Sequence, residues 1–244
     1  RWPLTNFEDA DFRPLYQRVR ERLLARMAEG GWAPGESLPS EHRLAGEYGV
    51  SQGTIRKALD SLADENLIVR RQGLGTFVAI PGEGRLLFQF YSLRREDGAK
   101  VLPASEMRSI RRLAASEKAR ERLQLRPRAQ VWEMHRSRRV DGRTMTVETL
   151  ILPAAKFPDI DKLPELPNNV YMLYATHYRQ TVGRAEERLT AIAASAGDAE
   201  VLGCSPGTPL LLIDRVAFGL DGAPIEWRLS RCLTDVVHYH NELR

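Results

Sequence analysis

The sequence has few cysteines and no long apolar run. Its 244 residues include only two cysteines, Cys204 and Cys232, and their spacing is not that of a disulfide framework. We therefore expect both thiols to be reduced and buried like small apolar side chains. No apolar stretch approaches the roughly 18 residues of a membrane span, and residues 1–12 lack the basic and apolar halves of a secretory signal. These absences predict a cytoplasmic protein that does not use a membrane.

Patterns typical of enzymes and metalloproteins are also missing. The sequence shows no Ser-His-Asp order, no cluster with metal-ligand spacing and no glycine-rich phosphate loop. His238 and His240 alternate across Tyr239 and would share a strand face. Two imidazoles without a nearby cysteine or carboxylate pair nevertheless make a poor metal site. The sequence therefore predicts no catalytic residue, no metal and no cofactor.

The net charge of +4 is unevenly distributed along the chain. Residues 1–80 hold 11 basic and 11 acidic side chains, so bulk charge gives no argument for a nucleic-acid partner there. Residues 85–139 hold 15 basic against 6 acidic side chains, and residues 140–244 hold 10 against 14. The surplus in the middle segment would raise the local concentration of an anionic ligand.

The most informative stretch is residues 37–78, which reads SLPSEHRLAGEYGVSQGTIRKALDSLADENLIVRRQGLGTFV. Ser40 is a good N-cap, Glu41 lies in the first turn, and Gly49 suits the left-handed residue that ends a helix. Ser51 then caps a second helix. Its apolar residues recur at spacings of three and four and form one buried stripe: Ile55, Ala58, Leu59 and Leu62. These parts predict a helix-turn-helix, whose second helix reaches base edges with its N-terminal residues.

A short hairpin follows these helices directly. Residues 67–71 and 76–78 are strand-like, and the segment between them carries Gly73 and Gly75. A glycine-rich tip lets backbone approach a phosphate or a groove, so the hairpin is predicted to be a wing. The alternative is a pair of hairpins that serve packing only. DNA binding is favoured because caps, turn glycine, apolar stripe and wing all fall in one register.

The motifs LPSEH-x-LA, GVS, TIRKALDSL and RRQG-x-GTFV resemble the winged helix-turn-helix of GntR-type bacterial transcription regulators, and the SEH variant is similar to the HutC subfamily. The resemblance implies a homodimer on double-stranded operator DNA with an inverted repeat. It implies DNA contacts at His42, Ser51, Gln52, Gly53, Thr54, Arg56, Gln72 and Gly73. The neighbouring basic residues Arg43, Lys57 and Arg71 complete the predicted DNA-binding set. Arginine is common in the family at the position of Gln52, and lysine at the position of Leu74. The operator is therefore expected to differ from the family's usual sequence.

The second half of the chain has a different character. Asp141-Gly142 joins strand-like segments 131–140 and 145–152, and a turn around Asp221-Gly222 joins segments 209–218 and 224–232. Helices are predicted near residues 116–123 and 169–178, whereas the period of residues 184–194 fits either a strand or a helix. The pattern indicates an antiparallel α+β domain.

This half is similar to the UTRA effector-binding domain, which has a chorismate-lyase-like fold, over roughly residues 86–240. The similarity is carried by R-x-R before the first DG turn, the following E-T-x-x-x-P, and later A-E-E-R and D-G-x-P-I-E. We predict a winged helix-turn-helix at residues 1–78 (core 12–78), a linker at 79–85, and a UTRA effector-binding and dimerisation domain at 86–244.

Arg136 and Arg138 are two residues apart on a predicted strand, so they share one face. Two guanidinium groups on one face suit a carboxylate or phosphate. The alternative is a solvated or cross-strand-paired arginine ladder, opposite Glu148 for instance. The resemblance implies that these arginines line the ligand pocket, and it gives the predicted effector-binding set: Ser92, Arg136, Arg138, Glu148, Tyr171 and Glu226.

The α-helical tyrosines predicted near residues 169–178 and two replacements also bear on the predicted pocket. Tyr171 recurs with Tyr174 and Tyr178 at helical spacing, which is typical of a core as well as of a ligand platform. Ile151 and Val237 stand where the family often has aromatic residues. Both replacements predict a more apolar pocket, which favours a small organic acid over a sugar phosphate.

The sequence thus predicts a ligand-responsive, sequence-specific transcription regulator, a repressor released by a small anionic metabolite such as an organic acid or sugar phosphate. Two alternatives stay open. One is a chorismate-lyase-like enzyme with vestigial DNA binding, and the other is an architectural DNA-binding protein without a ligand.

Overall fold

The computed structural model describes residues 13–65, 67–79, 92–98 and 103–241. The chain divides into two compact units, residues 1–83 and 84–244. All but Ala79 of the predicted linker lies outside the described residues, and the linker's bounds stay a prediction.

The described residues of the first unit form three helices and a hairpin: α1 (Leu15–Ala28), α2 (Glu41–Tyr48), α3 (Gln52–Asp64), β1 (Ile68–Arg71) and β2 (Gly75–Val78). The signals in the sequence explain where the helices begin and end. The Ser40 hydroxyl accepts a hydrogen bond from the Arg43 N–H at 3.3 Å, and Gly49 ends α2 with φ 64°. The Ser51 hydroxyl accepts from the Thr54 N–H at 3.1 Å and so caps α3.

The apolar stripe of α3 holds the first unit together. Ile55 and Leu62 are fully buried, as are Val19 and Leu23 of α1. Each such side chain contributes about 1.5–3 kcal/mol through its burial. Trp32 is also in the core, and the Arg26 guanidinium lies 4.0 Å from its ring centroid. Because the stripe faces inward, the remaining face of α3 is left to solvent.

The described residues of the second unit form one large sheet, a small ribbon and several helices: β3 (Leu93–Arg95), β4 (Ala104–Ala114), α4 (Glu117–Leu123), β5 (Gln130–Val140), β6 (Arg143–Pro153), a 3-10 turn (Ile160–Lys162), α5 (Val170–Tyr178), β7 (Val182–Ala193), α6 (Ala196–Leu202), β8 (Pro209–Gly219), β9 (Pro224–Cys232) and β10 (Val237–Tyr239). The sheet is antiparallel, with the order β4-β5-β6-β9-β8-β7, and β3 pairs with β10. The predicted α+β class is confirmed, and the segment left open around residues 184–194 is a strand.

Helices cover parts of both faces of this sheet. On one face Tyr174 of α5 packs with Trp132 and Leu150 in a buried cluster. On the other face Leu123 of α4 packs with Ile151 and residues around it. The β5–β6 hairpin turns at Asp141 and Gly142, which both have positive φ, as a two-residue DG turn requires.

The two cysteines differ in burial, and both are free thiols. Cys232 is fully buried on β9, and burial raises the pKa of its thiol to about 12. Cys204 is only half-buried after α6. The expectation of two small buried side chains therefore holds for Cys232 and only in part for Cys204.

Candidate DNA interface and effector site

The outer face of α3 and the wing tip carry most of the residues predicted to contact DNA. One member of the set, Thr54, is half-buried, and its side chain lies 2.9 Å from the Ser51 hydroxyl. All the others are exposed: His42, Arg43, Ser51, Gln52, Gly53, Arg56, Lys57, Arg71, Gln72 and Gly73. The structure therefore presents this set to solvent on adjacent elements of one small unit.

Glu41 links α2, α3 and the wing through two ion pairs. Its carboxylate lies 3.0 Å from a guanidinium nitrogen of Arg56 and 3.5 Å from one of Arg70. Arg70 also pairs with Asp60 at 2.7 Å. The hydrogen bond and charge of Glu41 raise the pKa of Arg56, whose guanidinium stays exposed. Exposed pairs of this kind exchange readily with other anions, including phosphates.

The wing tip is shaped by two glycines. Gly73 has φ 73° and Gly75 has φ 114°, which side-chain-bearing residues rarely adopt. Leu74 between them is 72% exposed, and the Arg71 guanidinium lies 4.9 Å from the Phe77 ring centroid. The tip thus projects backbone and one apolar side chain into solvent.

The second site lies on the sheet face that α5 covers. In register across the sheet, Arg136 of β5 stands beside Glu148 of β6, and Glu148 stands beside Ser230 of β9. In a neighbouring row Arg228 of β9 stands beside Arg215 of β8, and Arg215 beside Glu187 of β7. We call the following group the arginine cluster: Arg136, Arg138, Arg215, Arg228, Glu148, Glu187, Glu226, Tyr171, Tyr174 and Ser230.

Glu148 is the acceptor at the β5–β6 end of the arginine cluster. Its carboxylate pairs with Arg136 and accepts from the Ser230 hydroxyl at 3.1 Å. Guanidinium nitrogens of Arg138 and Arg228 lie 3.8 Å from the same carboxylate. Burial alone would raise the pKa of Glu148, but the three arginines outweigh it and hold that pKa well below its usual range.

Glu226 is the acceptor beneath α5. It is fully buried and accepts from the hydroxyls of Tyr171 at 3.0 Å and Tyr174 at 2.8 Å. Arg228 donates at 2.7 Å to the same carboxylate oxygen as Tyr174, and the Arg228 guanidinium lies 5.0 Å from the Tyr171 ring centroid. Burial, followed by the Glu226 charge, raises the pKa of Tyr174 well above its usual value. Tyr171 and Tyr174 therefore pack in the core and also donate to the polar site. The spacing of the α5 tyrosines is typical of a core and of a ligand platform, and the two interpretations are compatible.

Glu187 and Tyr239 close the β7 side of the arginine cluster. The Arg215 Nε donates to the Glu187 carboxylate at 2.6 Å, and the Tyr239 hydroxyl donates to the same carboxylate. The Ser92 side chain hydrogen-bonds the Tyr239 hydroxyl, and the Ser92 carbonyl accepts from the His240 N–H at 2.7 Å. Ser92 is thus joined to the cluster indirectly, through the β3–β10 ribbon.

The structure brings five of the six predicted effector residues into the cluster, with Ser92 at its border. It also assembles four charged or aromatic members that sequence reasoning did not include as site residues: Arg215, Arg228, Glu187 and Tyr174. Arg228 had a readable signal, since it follows Glu226 by two positions and so shares its strand face. Arg215 and Glu187 carry no local signal, because only strand pairing places them there.

The inference of a more apolar pocket from Ile151 is wrong. Ile151 is three residues from Glu148 on the same strand, so it points to the opposite face, where it packs with Val131 and Trp227. Val237 pairs with Arg95 and packs in an apolar cluster with Leu93. The replacement at Ile151 therefore does not change the polar character of the surroundings of Arg136.

Other classes of site have little support. Within residues 13–65, 67–79, 92–98 and 103–241, no three His, Cys, Asp or Glu side chains group closely enough to hold a metal ion. The ring centroids of His238 and His240 lie 6.2 Å apart on the ribbon. In the same described parts of the chain, no helix has the length and apolar character needed to cross a lipid bilayer.

Comparison with known proteins identifies the family of both units. Residues 15–78 match the bacterial regulatory proteins of the gntR family, and residues 99–238 match the UTRA domain. The chain belongs to the GntR-type regulators that carry a UTRA domain. It is 30% identical to the uncharacterized HTH-type transcriptional regulator YurK of Bacillus subtilis strain 168, with 87% of this chain and 88% of YurK covered.

A further relative agrees with this family assignment, and a solved structure agrees with the fold. The chain is 28% identical over 229 residues to the mannosyl-D-glycerate transport/metabolism system repressor MngR of Escherichia coli K12, with 91% of this chain and 93% of MngR covered. The crystal structure of PhnF from Mycobacterium smegmatis has the same fold, with a TM-score of 0.56, 24% identity, and 93% and 99% of the two chains covered. The protein is therefore a ligand-responsive DNA-binding transcription regulator, and its named relatives are regulators rather than enzymes.

Proposed function

We propose that the protein is a repressor of the HutC subfamily that acts as a homodimer in the cytoplasm. It would bind an inverted-repeat operator through α3 and the wing, and leave it when a small anionic metabolite enters the arginine cluster. The observation that supports an anionic ligand is the burial of four arginines on one sheet face, where they are 2% to 8% exposed. That MngR is named a repressor supports the sign of regulation.

In this proposal α3 enters the major groove with its N-terminal turn. Gln52 and Arg56 read base edges, since glutamine pairs best with adenine and arginine with guanine. Lys57 and Arg71 neutralise phosphates, and the backbone at Gly73 allows the wing tip to approach a groove closely. The Ser51–Thr54 contact holds the first turn of α3 in shape. A two-fold operator follows, with half-sites about one helical turn apart (~34 Å).

The arginine cluster supplies the ligand response. Four arginines against three glutamates leave one formal positive charge among groups that are largely removed from water. Burying an uncompensated charge is unfavourable, so an anion that enters the cluster is stabilised strongly. If the anion binds more tightly to a dimer conformation with low operator affinity, it shifts the population toward release.

We also propose the domain boundaries: a DNA-binding domain at residues 1–78, a linker at 79–85 and an effector-binding domain at 86–244.

Selection from random duplex DNA with the full-length protein tests the DNA half. The expected product is a two-fold symmetric site that the protein binds in a mobility-shift titration, with an affinity that falls steeply as salt rises. Failure to enrich any sequence would contradict the proposal.

Thermal shift with organic acids and sugar phosphates tests the proposed ligand binding, since a ligand at 100 times its dissociation constant stabilises the protein by about 2.7 kcal/mol. A ligand that stabilises the protein must also release the operator.

A further inference from the structure

Arg228 occupies an unusual position between the two buried carboxylates of the arginine cluster. Its guanidinium donates to Glu226 at 2.7 Å and lies 3.8 Å from Glu148. The side chain is 6% exposed. Glu226 and Glu148 raise the pKa of Arg228 well above its usual value although burial alone would lower it. Arg228 therefore acts as an internal cation that both carboxylates share.

The surroundings of Arg228 are not those of a residue that only stabilises the fold. It stands directly opposite Arg215 in the β8–β9 register, and like charges in such a pair repel. Its Nε is buried, and among the described residues nothing accepts a hydrogen bond from it. A buried donor without an acceptor is unfavourable in the protein alone, and an incoming acceptor relieves it.

Arg228 also decides the charge of the cluster. With it, four arginines face three glutamates, and one positive charge remains. Without it, three arginines would face three glutamates, and two of those carboxylates, Glu148 and Glu226, would lack the cation between them. Glu148 would keep Arg136 and Arg138, whereas Glu226 would keep only the hydroxyls of Tyr171 and Tyr174, and a buried carboxylate in that state favours a cation such as a ligand ammonium group.

We propose that Arg228 determines specificity: it fills the cation position between Glu148 and Glu226, so that the site accepts a monoanion and excludes ligands that carry an ammonium group. This inference rests on the proposed effector function and deepens it. The ligand class is a hydroxy monocarboxylate or a similar singly charged acid. A dianion would leave the cluster with net negative charge, and an amino acid would bring its ammonium group next to Arg228.

Matched pairs of small acids test this inference in the full-length protein. Lactate and glycerate differ from alanine and serine only by a hydroxyl in place of the ammonium group, and malate adds a second carboxylate. Isothermal titration should give lactate or glycerate at least about tenfold tighter binding than the matching amino acid, and tighter binding than malate. Equal binding of glycerate and serine, or tighter binding of malate, would overturn the inference.

The variant Arg228→Met sharpens the test, because it keeps the apolar stem and removes the charge. We expect it to lose the preference for hydroxy acid over amino acid. Arg231→Met is the matched control: Arg231 lies on the same strand but points to the other face, where it pairs with Asp198 at 2.8 Å. Arg228→Lys keeps the charge and should keep the preference, which covers the case in which Arg228→Met does not fold.

The outcomes separate this inference from the function on which it rests. If hydroxy acids bind and release the operator but Arg228→Met discriminates as well as the wild type, Arg228 has no such role and the effector function stands. If none of these acids binds while operator binding is intact, the monoanion assignment fails. If a sugar phosphate then binds and releases the operator, the effector function survives without this inference.

Discussion

The two units use arginine in opposite ways. In the DNA-binding unit, Arg56 is 58% exposed where it pairs with Glu41. In the sheet unit, Arg136 and Glu148 are 2% and 3% exposed where they pair. An exposed pair can exchange its partner for a phosphate at little cost, whereas a buried pair cannot lose one member without leaving a charge out of water. The first arrangement suits a reversible polyanion interface, and the second suits the fixed anion site proposed above.

The largest expected effect comes from breaking the buried pair. Glu148→Gln leaves Arg136 without its charged partner, and we expect a loss of about 3–5 kcal/mol in the free energy of unfolding of the second unit. Urea unfolding followed by tryptophan fluorescence, to which Trp132 and Trp227 of the second unit contribute, measures it. Arg143→Ala, which removes an exposed pair with Asp235, is the control and should change stability by less than about 1 kcal/mol. Equal losses in both variants would contradict the contrast between the units.

The same carboxylate predicts how stability depends on pH. The pKa of Glu148 is lowered in the folded protein, so its stabilisation is present above the usual carboxyl pKa of about 4.3 and is lost as pH falls below it toward the folded value. Unfolding titrations between pH 7 and pH 3 should show a steep acid limb. The limb should be shallower in Glu148→Gln, which no longer titrates at this position.

The next effect concerns the exposed arginine. Arg56→Ala should weaken operator binding on the order of 10–100-fold, because it removes the guanidinium that reads a base in the proposed complex. Its thermal midpoint should not change measurably, since Arg56 lies on the solvent face of α3. A mobility-shift titration and a melting curve on the same sample check both statements. An unchanged operator affinity would contradict the proposal that α3 contacts the operator.

The smallest effect is expected for Glu41→Gln. This change removes the carboxylate that holds Arg56 and Arg70, but both pairs are exposed, so the melting temperature should stay within about 3 °C. Operator affinity should change by less than in Arg56→Ala. A larger loss of affinity in Glu41→Gln would mean that Glu41 positions the arginines for DNA rather than merely balancing their charge.

Local signals in the sequence were sufficient for much of the fold. Ser40 and Ser51 cap helices as the sequence predicts, and Asp141-Gly142 turns the β5–β6 hairpin. These features depend on a few adjacent residues, so a single stretch of sequence contains the physical cause.

The composition of the arginine cluster depended on long-range pairing. Arg215 and Glu187 join it only because β8 pairs with β9 on one side and with β7 on the other. No spacing within one strand reveals such a neighbour. The wrong prediction at Ile151 has another origin: it rests on the family resemblance, whereas alternation along β6 places Ile151 and Glu148 on opposite faces of the sheet.

The most direct test of the account measures operator affinity in three proteins, with and without the acid that gives the largest thermal shift. We expect Arg56→Ala to lose operator affinity in both conditions. We expect Arg138→Ala to bind the operator like the wild type but not to be released by the acid. Wild-type release in Arg138→Ala, or wild-type affinity in Arg56→Ala, would contradict it.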